Sequence, residues 1–341
     1  MRIAIVNDMP LAVMALKRAL SVGSNYEVAW VAKDGVEAVE KCAADVPDLV
    51  LMDLIMPKMN GVEATKRIMA NSPCAILVVT VSVGSNAWRV FEAMGHGALD
   101  AVDTPALGRG DPKQGAAPLI NKIEILRRLV LDRGKLDLSM FGSAARGRFA
   151  AQKASLVVIG ASAGGPAAVA KVLAGLPKNF RAAIVVVQHV DVKFAQSMAD
   201  WLDVESPLPV TVAVEGARVL PGQVLLAGSN DHLVMKPGGA LGYTAEPKDY
   251  VYRPSVDVFM QSVIHHWKGG MVGVLLSGMG RDGALGLRSM RNLGCHTIAQ
   301  DQATCAVYGM PKAAAQLNAA VEVLSVDVIA DQLVRHCGRS F

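Results

Sequence analysis

Residues 155–165 read S-L-V-V-I-G-A-S-A-G-G, and Pro166 then opens an Ala- and Val-rich helical pattern. The apolar run Leu156–Ile159 predicts a buried strand, the small residues around Ser162 a tight turn, and Pro166 a helix start. Only small neighbours let a chain reverse so sharply while holding a hydroxyl at the tip of the turn, backed by the positive end of a helix. Gly160-Ala161-Ser162-Ala163-Gly164 fits the G-x-S-x-G nucleophile elbow. A buried strand entering any α/β helix also favours Gly and Ser here, so the pentapeptide alone leaves both readings open. A dinucleotide loop fits less well, because Ser162 takes the place of the middle glycine and no acidic residue ends a following strand. A phosphate-cradling loop needs G-K-[ST], which is missing.

The chain has 341 residues, enough for two domains with their own cores. Apolar residues make up 52% and charged residues 19%, which excludes a disordered chain. The net charge of +4 contains no basic block, which argues against a nucleic-acid partner. Cys42, Cys74, Cys295, Cys305 and Cys337 are odd in number and include no C-x-x-C pair. They exclude a disulfide framework and a zinc ribbon and fit a reducing compartment. The apolar start Met1–Val6 is too short for a secretory leader and no run reaches membrane-spanning length, so we expect a cytoplasmic protein without membrane insertion.

Working outward, the first third alternates strands and helices. Strands are predicted at Ile3–Val6, Val28–Ala32, Leu49–Met52, Ile76–Val79 and Leu99–Val102, and helices at Pro10–Leu20, Val36–Ala43, Gly61–Ala70, Ala87–Met94 and Pro118–Val130. Five such units imply a (βα)5 doubly wound parallel sheet with its site at the carboxyl ends of the strands. Asn7 and Asp8 follow the first strand, Asp53 the third and Thr80 the fourth. Asp8 and Asp53 can together hold a Mg²⁺ ion, and a metal-bound carboxylate can accept a phosphoryl group. Strand-end acids also cap helices, but this arrangement, followed by Met56-Pro57 and Gly61, favours the site.

Through V-N-D at 6–8, M-D-L-I-M-P-K-M-N-G at 52–61, V-V-T at 78–80 and G-A-L-D at 97–100, residues 1–132 resemble response-regulator receiver domains. The resemblance implies that Asp53 is the phosphoacceptor, that Asp8 and Asp53 bind Mg²⁺, that Thr80 is the switch residue, and that a histidine kinase is the phosphodonor. Three positions depart from the family. Asn7 replaces a second metal-binding acid, Thr104 a phosphate-contacting Lys, and Ala101 an aromatic switch residue. Loss of one acid and one base together leaves the formal charge of the site unchanged, so metal binding should survive while the usual reporting route is missing.

Gly108–Gly115 is rich in Gly, Pro and charge and predicts a loop; residues 133–153, with scattered Gly, Lys and Arg, predict a linker between domains. From residue 154 the chain is again α/β but richer in strands. Ala183–Gln188 is a continuous apolar strand ending at His189, and Val210–Val214, Val224–Ala227, Leu233–Lys236 and Leu241–Thr244 are short strands with P-G and G-G turn signals. Val256–Trp267 is helical, and Met271–Leu276 is a buried strand entering S-G-M-G-R-D-G at 277–283.

Ser162, His189 and Asp282 therefore each stand just past the carboxyl end of a predicted buried strand, where open α/β sheets place their sites. Singly each has a bland reading, but together they carry the residue types of a Ser-His-Asp triad. Their chain order differs from that of α/β-hydrolases, which only His296 or His336 could complete. His265 and His266 fall in a helix and read as structural; His232 lies in a turn and stays unassigned.

G-A-S-A-G-G at 160–165, Q-H at 188–189, Y-R-P-S-V-D at 252–257 and L-L-S-G-M-G-R-D-G-A at 275–284 resemble the chemotaxis protein-glutamate methylesterases, which join a receiver to this catalytic domain. Ala163 replaces a Thr found in many members. The V-N-D-M-P opening and the missing receiver Lys are most similar to the branch in surface-sensing systems that control a diguanylate cyclase. The resemblance implies a doubly wound, mostly parallel α/β catalytic domain with Ser162, His189 and Asp282 catalytic and the Met279 N–H in the oxyanion hole. It implies hydrolysis of glutamate methyl esters on the cytoplasmic helices of chemoreceptors, deamidation of glutamine, and no cofactor for the esterase. Two rivals stay open: a receiver-regulated hydrolase of a small ester, and a non-catalytic, phosphorylation-gated binding protein. A DNA-binding output domain fits poorly with the length and strand content of the second half.

Overall fold

The computed structural model describes residues 1–22, 25–81, 87–105, 112–131, 154–248, 250 and 252–338. The chain divides into two compact units, Met1–Arg133 and Gly134–Phe341. The expected linker at 133–153 lies outside the described residues.

In the first unit the elements run β1 (Arg2–Val6), α1 (Pro10–Val22), β2 (Glu27–Ala32), α2 (Gly35–Ala44), β3 (Leu49–Met52), α3 (Gly61–Asn71), β4 (Ala75–Thr80), α4 (Ala87–Gly95), β5 (Asp100–Asp103) and α5 (Pro112–Leu131). The strands form one parallel sheet in the order β2-β1-β3-β4-β5. Helices on both faces leave Leu49–Met52 and Ala75–Thr80 buried throughout, which is why they read as unbroken apolar runs. Asp34 and Asn60 fix the starts of α2 and α3 by accepting the N–H groups of Glu37 and Glu63.

The loop expected through Gly115 is corrected for its described part, because α5 already begins at Pro112 and carries Pro118 inside it. The reason is burial. Ala116, Leu119, Ile123 and Leu126 form one apolar stripe that packs into the core, and this tertiary gain outweighs the break that Gly115 and Pro118 would make in an isolated helix.

The second unit comprises β6 (Ala154–Ala161), α6 (Gly165–Ala174), β7 (Ala183–Gln188), α7 (Val192–Glu205), β8 (Val210–Val212), β9 (Val224–Leu226), β10 (His232–Met235), β11 (Leu241–Thr244), α8 (Val256–His266), β12 (Gly270–Leu275), α9 (Ala284–Asn292), β13 (His296–Gln300), α10 (Met310–Gln316), β14 (Glu322–Leu324) and α11 (Val326–Cys337). Seven of these strands form an all-parallel sheet in the order β14-β13-β12-β6-β7-β9-β8, and β10 and β11 pair separately as an antiparallel ribbon. Starting from the central β6, the chain builds outward to one side through β7 and then returns to build the other side through β12. The direction of winding reverses between β6 and β12, as it does between β1 and β3 in the first unit. Each reversal leaves a crevice at the carboxyl ends of its two strands.

Gly61 shows how closely the first crevice is packed. A Cβ there would lie 1.9 Å from the carbonyl oxygen of Asp53, while the Gly61 N–H donates to the carbonyl of Leu54. Gly61→Ala must therefore push backbone against backbone. We expect it to destabilise the first unit by about 1–3 kcal/mol, the usual cost of overpacking. Calorimetry of the full chain should show the transition assigned to that unit shifting down while the other stays; an unshifted transition would contradict the close approach.

Candidate active site and acidic cluster

In the second unit the parallel register brings the ends of three neighbouring strands together. The His189 N–H donates to the carbonyl of Ala161, and the Ser162 N–H donates to the carbonyl of Ser277. The turn after β6, the end of β7 and the loop after β12 are thus tied to one another by backbone hydrogen bonds. Ser162 and His189 are buried. The helix α6 begins three residues after Ser162, at Gly165, so its positive end lies behind the hydroxyl.

The Asp282 side chain is the most heavily bonded group of this edge. Its Oδ1 accepts from the Ser255 hydroxyl at 2.8 Å, the Asp257 N–H at 3.1 Å and the Gly283 N–H at 3.0 Å. Its Oδ2 accepts from the Val256 N–H at 2.7 Å and faces His189 Nε2 at 2.7 Å. Burial works to raise this carboxyl, but the His189 hydrogen bond, with the N–H groups of Val256 and Asp257, outweighs it and holds the group below the ordinary carboxylate range. The neighbouring Asp257 goes the other way. Its burial, with the charge of Asp282 beside it, pushes its carboxyl well above that range.

An ionised Asp282 can only accept, so His189 Nε2 carries the ring proton in the neutral imidazole. The other nitrogen, Nδ1, is buried without a hydrogen-bond partner among the described residues. That leaves a bare, basic lone pair in a protected place. Among the described residues no hydrogen bond joins it to the Ser162 hydroxyl, a bond that often tightens only when substrate is present. Tyr252 stacks on the imidazole, with ring centres 4.1 Å apart and planes 21° from parallel, and restricts its rotation.

Sequence reasoning missed the residues that hold this arrangement. Ser255 bonds Asp282 and also caps α8 through the Val258 N–H. His232, left unassigned, is buried in β10; its Nδ1 accepts the Ser255 N–H at 3.1 Å, and its Nε2 lies 2.9 Å from the carbonyl of Pro247. Those partners fix the Nε2–H tautomer. Gln188 donates to the carbonyls of Ser162 and His189. The Ser277 hydroxyl donates to the carbonyl of Ala163 and accepts the Val307 N–H, and Gln300 accepts the Ser277 N–H. Ser255 and Gln188 lie inside the motifs quoted above, which was the available signal; His232 had none.

The Gly-rich loop 278–280 crosses directly in front of Ser162. A Cβ on Gly278 would lie 2.9 Å from Ser162 Cβ, so only glycine lets this backbone approach Ser162 so closely. Both Gly309 and Met310 donate to the Gly278 carbonyl, which fixes the peptide plane leading to Met279. Met279 itself is half-buried.

In the first unit Asp53 is buried at the end of β3 and Asp8 is exposed after β1. Burial pushes the Asp53 carboxyl up to about 6, opposed by the Leu54 and Ile55 N–H groups, and the charge of Asp8 adds to the rise. Asn7 donates its side-chain amide to Asp53 Oδ2 at 3.1 Å and accepts the Met9 N–H on its oxygen. The residue that departs from the family pattern thus touches the expected phosphoacceptor. Thr80 closes β4 and is buried; its carbonyl accepts the Thr104 N–H. The Thr104 hydroxyl is buried without a hydrogen-bond partner among the described residues, and Ala101 is buried within β5.

His265 and His266 lie in the last turn of α8, within the helix expected there. His296 and His336 do not join the Ser162 edge: His296 starts β13 and His336 lies near the end of α11.

Two family profiles match the chain: the response regulator receiver domain over residues 3–106, and the CheB methylesterase domain over residues 157–333. The protein-glutamate methylesterase/protein-glutamine glutaminase 3 of Pseudomonas aeruginosa is 58% identical over 98% of both chains. The corresponding protein of the group 3 operon of Pseudomonas putida is also 58% identical over 98% of both chains. The solved CheB methylesterase catalytic domain of Thermotoga maritima superposes with a TM-score of 0.51 at 37% identity, covering 53% of this chain and 98% of that one. No helix among the described residues is long and apolar enough to cross a membrane. The chain belongs to the CheB family of receiver-linked methylesterases.

Proposed function

We propose that the protein hydrolyses glutamate methyl esters, and deamidates glutamines, on the cytoplasmic helices of chemoreceptors, under control of phosphorylation at Asp53. The observation that carries the catalytic part is the Asp282–His189 pair at 2.7 Å, with the second ring nitrogen buried and without a hydrogen-bond partner among the described residues. Ser162 Oγ attacks the ester carbonyl carbon as its proton passes to His189 Nδ1, and Asp282 stabilises the imidazolium that results. The Met279 N–H stabilises the oxyanion, a contribution whose loss typically lowers the rate about a hundredfold or more. Collapse of the tetrahedral adduct breaks the carbon–oxygen bond, and the leaving methoxide takes the proton back and departs as methanol. Water, deprotonated by the same nitrogen, then attacks the acyl-enzyme and releases glutamate and Ser162. A glutamine side chain follows the same course with ammonia as the leaving group.

In the receiver, Asp8 and Asp53 suit a Mg²⁺ ion: the charge of Asp8 adds to the burial that disfavours the Asp53 carboxylate, an effect that a hard divalent cation would reverse. Bound there, Mg²⁺ would neutralise the developing charge of the incoming phosphoryl group. Asn7 orients the Asp53 carboxylate, and Thr80 and the unpaired Thr104 hydroxyl stand as donors for phosphoryl oxygens. A chemotaxis-type histidine kinase is the phosphodonor in this reading. The V-N-D-M-P opening and Thr104 support the surface-sensing branch.

Methanol release from a methylated receptor fragment tests the function. Wild type should release methanol faster with a small phosphodonor and Mg²⁺, Ser162→Ala should lose at least about a thousandfold in rate, and Asp53→Asn should lose the acceleration but keep basal release. Release that survives Ser162→Ala, or an Asp53→Asn protein that still responds to the phosphodonor, would contradict the two halves in turn.

The Ser255→Ala variant removes one donor from a charged acceptor, an interaction of about 1.5–3 kcal/mol, so kcat should fall roughly tenfold to a hundredfold with KM little changed. An unaltered kcat would show that Ser255 does not position Asp282. His232, held below its ordinary value of 6.5 chiefly by burial, makes stability depend on pH. Below that value the unfolded chain takes up a proton that the folded chain resists, so stability is lost as pH falls. Thermal unfolding from about pH 7 to 5 should show a shallower loss for His232→Gln than for wild type; parallel curves would sink this assignment.

A further inference from the structure

We infer that His296, Glu322 and His336 form a binding site for one Zn²⁺-class cation on the catalytic unit, at the edge of the sheet opposite Ser162. The three residues come from three elements, β13, β14 and α11. One ligand atom from each lies within 4.8 Å of the others, and they are the one such group of donors among the described residues. All three side chains are half-buried. His296 Nε2 and Glu322 Oε2 are already 3.1 Å apart, so a cation that replaced their shared hydrogen bond would find both ligands in place. The imidazoles of His296 and His336 stack with centres 3.5 Å apart and planes 18° from parallel. A tetrahedral ion bound by both rings would hold their centres about 5 Å apart, so on loading the stacked pair has to open and one ring turn its lone pair toward the ion.

The donor set selects the ion. Two imidazoles and one carboxylate suit Zn²⁺ or Co²⁺, whereas Mg²⁺ and Ca²⁺ need more oxygen donors than this corner offers. His336 also lies in the last turn of α11, where the negative end of the helix dipole favours a cation.

The position assigns the ion a structural task. β14 is the edge strand of the sheet and α11 is the final helix described, so a bound ion would clip that helix to the β13–β14 edge. His296 starts β13 and Gln300, which bonds Ser277 beside Ser162, ends it. Four residue steps, about 13 Å of extended strand, separate this corner from the ester site, and loading should leave methanol release unchanged.

The test is a titration of the full-length, chelator-treated protein with Co²⁺, read by its visible ligand-field absorption and by displacement with Zn²⁺. One Co²⁺ per chain should bind with a nitrogen–oxygen spectrum lacking thiolate charge transfer. His336→Ala and Glu322→Gln should each weaken it by about tenfold or more, and Asp53→Asn, which alters the receiver's acidic cluster, should leave the spectrum intact. Zn²⁺ should raise the melting temperature of wild type and not of His336→Ala. His336→Gln serves if the alanine variant misfolds. Absence of a wild-type spectrum, a spectrum indifferent to His336, or one lost with Asp53→Asn would each overturn the assignment.

Discussion

The arrangement depends on keeping one carboxylate ionised where there is little water. Asp282 meets that constraint with three backbone N–H groups, the Ser255 hydroxyl and the His189 ring, spread over both oxygens. A carboxylate satisfied to this degree loses little by burial, and it then dictates the state of everything around it. It fixes the His189 tautomer and leaves Nδ1 bare, and its charge adds to the burial that pushes the carboxyl of Asp257 well above the ordinary range. The roles of the two ring nitrogens are the reverse of the familiar serine-protease arrangement, in which Nδ1 faces the aspartate and Nε2 the serine.

The same topological rule places both sites. In each unit the winding of a parallel sheet reverses beside its central strand, and the loops leaving the two strands at that reversal hold the candidate residues: Asn7, Asp8 and Asp53 in one, Ser162 and the 277–283 loop in the other. This is why so much of the site was legible in the amino-acid sequence. A residue at the end of a predicted buried strand is already confined to one edge of the sheet, and Ser162, His189, Asp282 and Asp53 could be picked out on that ground. The apolar runs made β3, β4, β7 and β12 plain to within a residue or two because burial on both faces leaves no alternation to misread, whereas the short, partly exposed edge strand β14 was not predicted.

What stayed hidden was whatever depends on chain segments meeting by packing. His232 reaches Ser255 only because the β10–β11 ribbon folds against the start of α8, and no local pattern announces that meeting. His296 and His336 stand far apart in sequence and looked like spare bases for another triad; the sheet and the last helix bring them face to face on the wrong edge for catalysis. The start of α5 was misread for the opposite reason. Its Gly and Pro signal a loop locally, and the core overrules them. In the receiver, Asn7 was marked as a departure, but its bond to Asp53 required the fold.

The central claim, that Asp282 holds His189 with Nδ1 free to act as base, is tested most directly by ¹⁵N NMR of the imidazole of His189 in the resting enzyme, assigned by comparison with His189→Gln. The account predicts a neutral ring protonated at Nε2, with that proton strongly deshielded by its bond to Asp282 and the Nδ1 resonance in the unprotonated range. A ring protonated at Nδ1, or an Nε2 proton unaffected by Asp282→Asn, would contradict it.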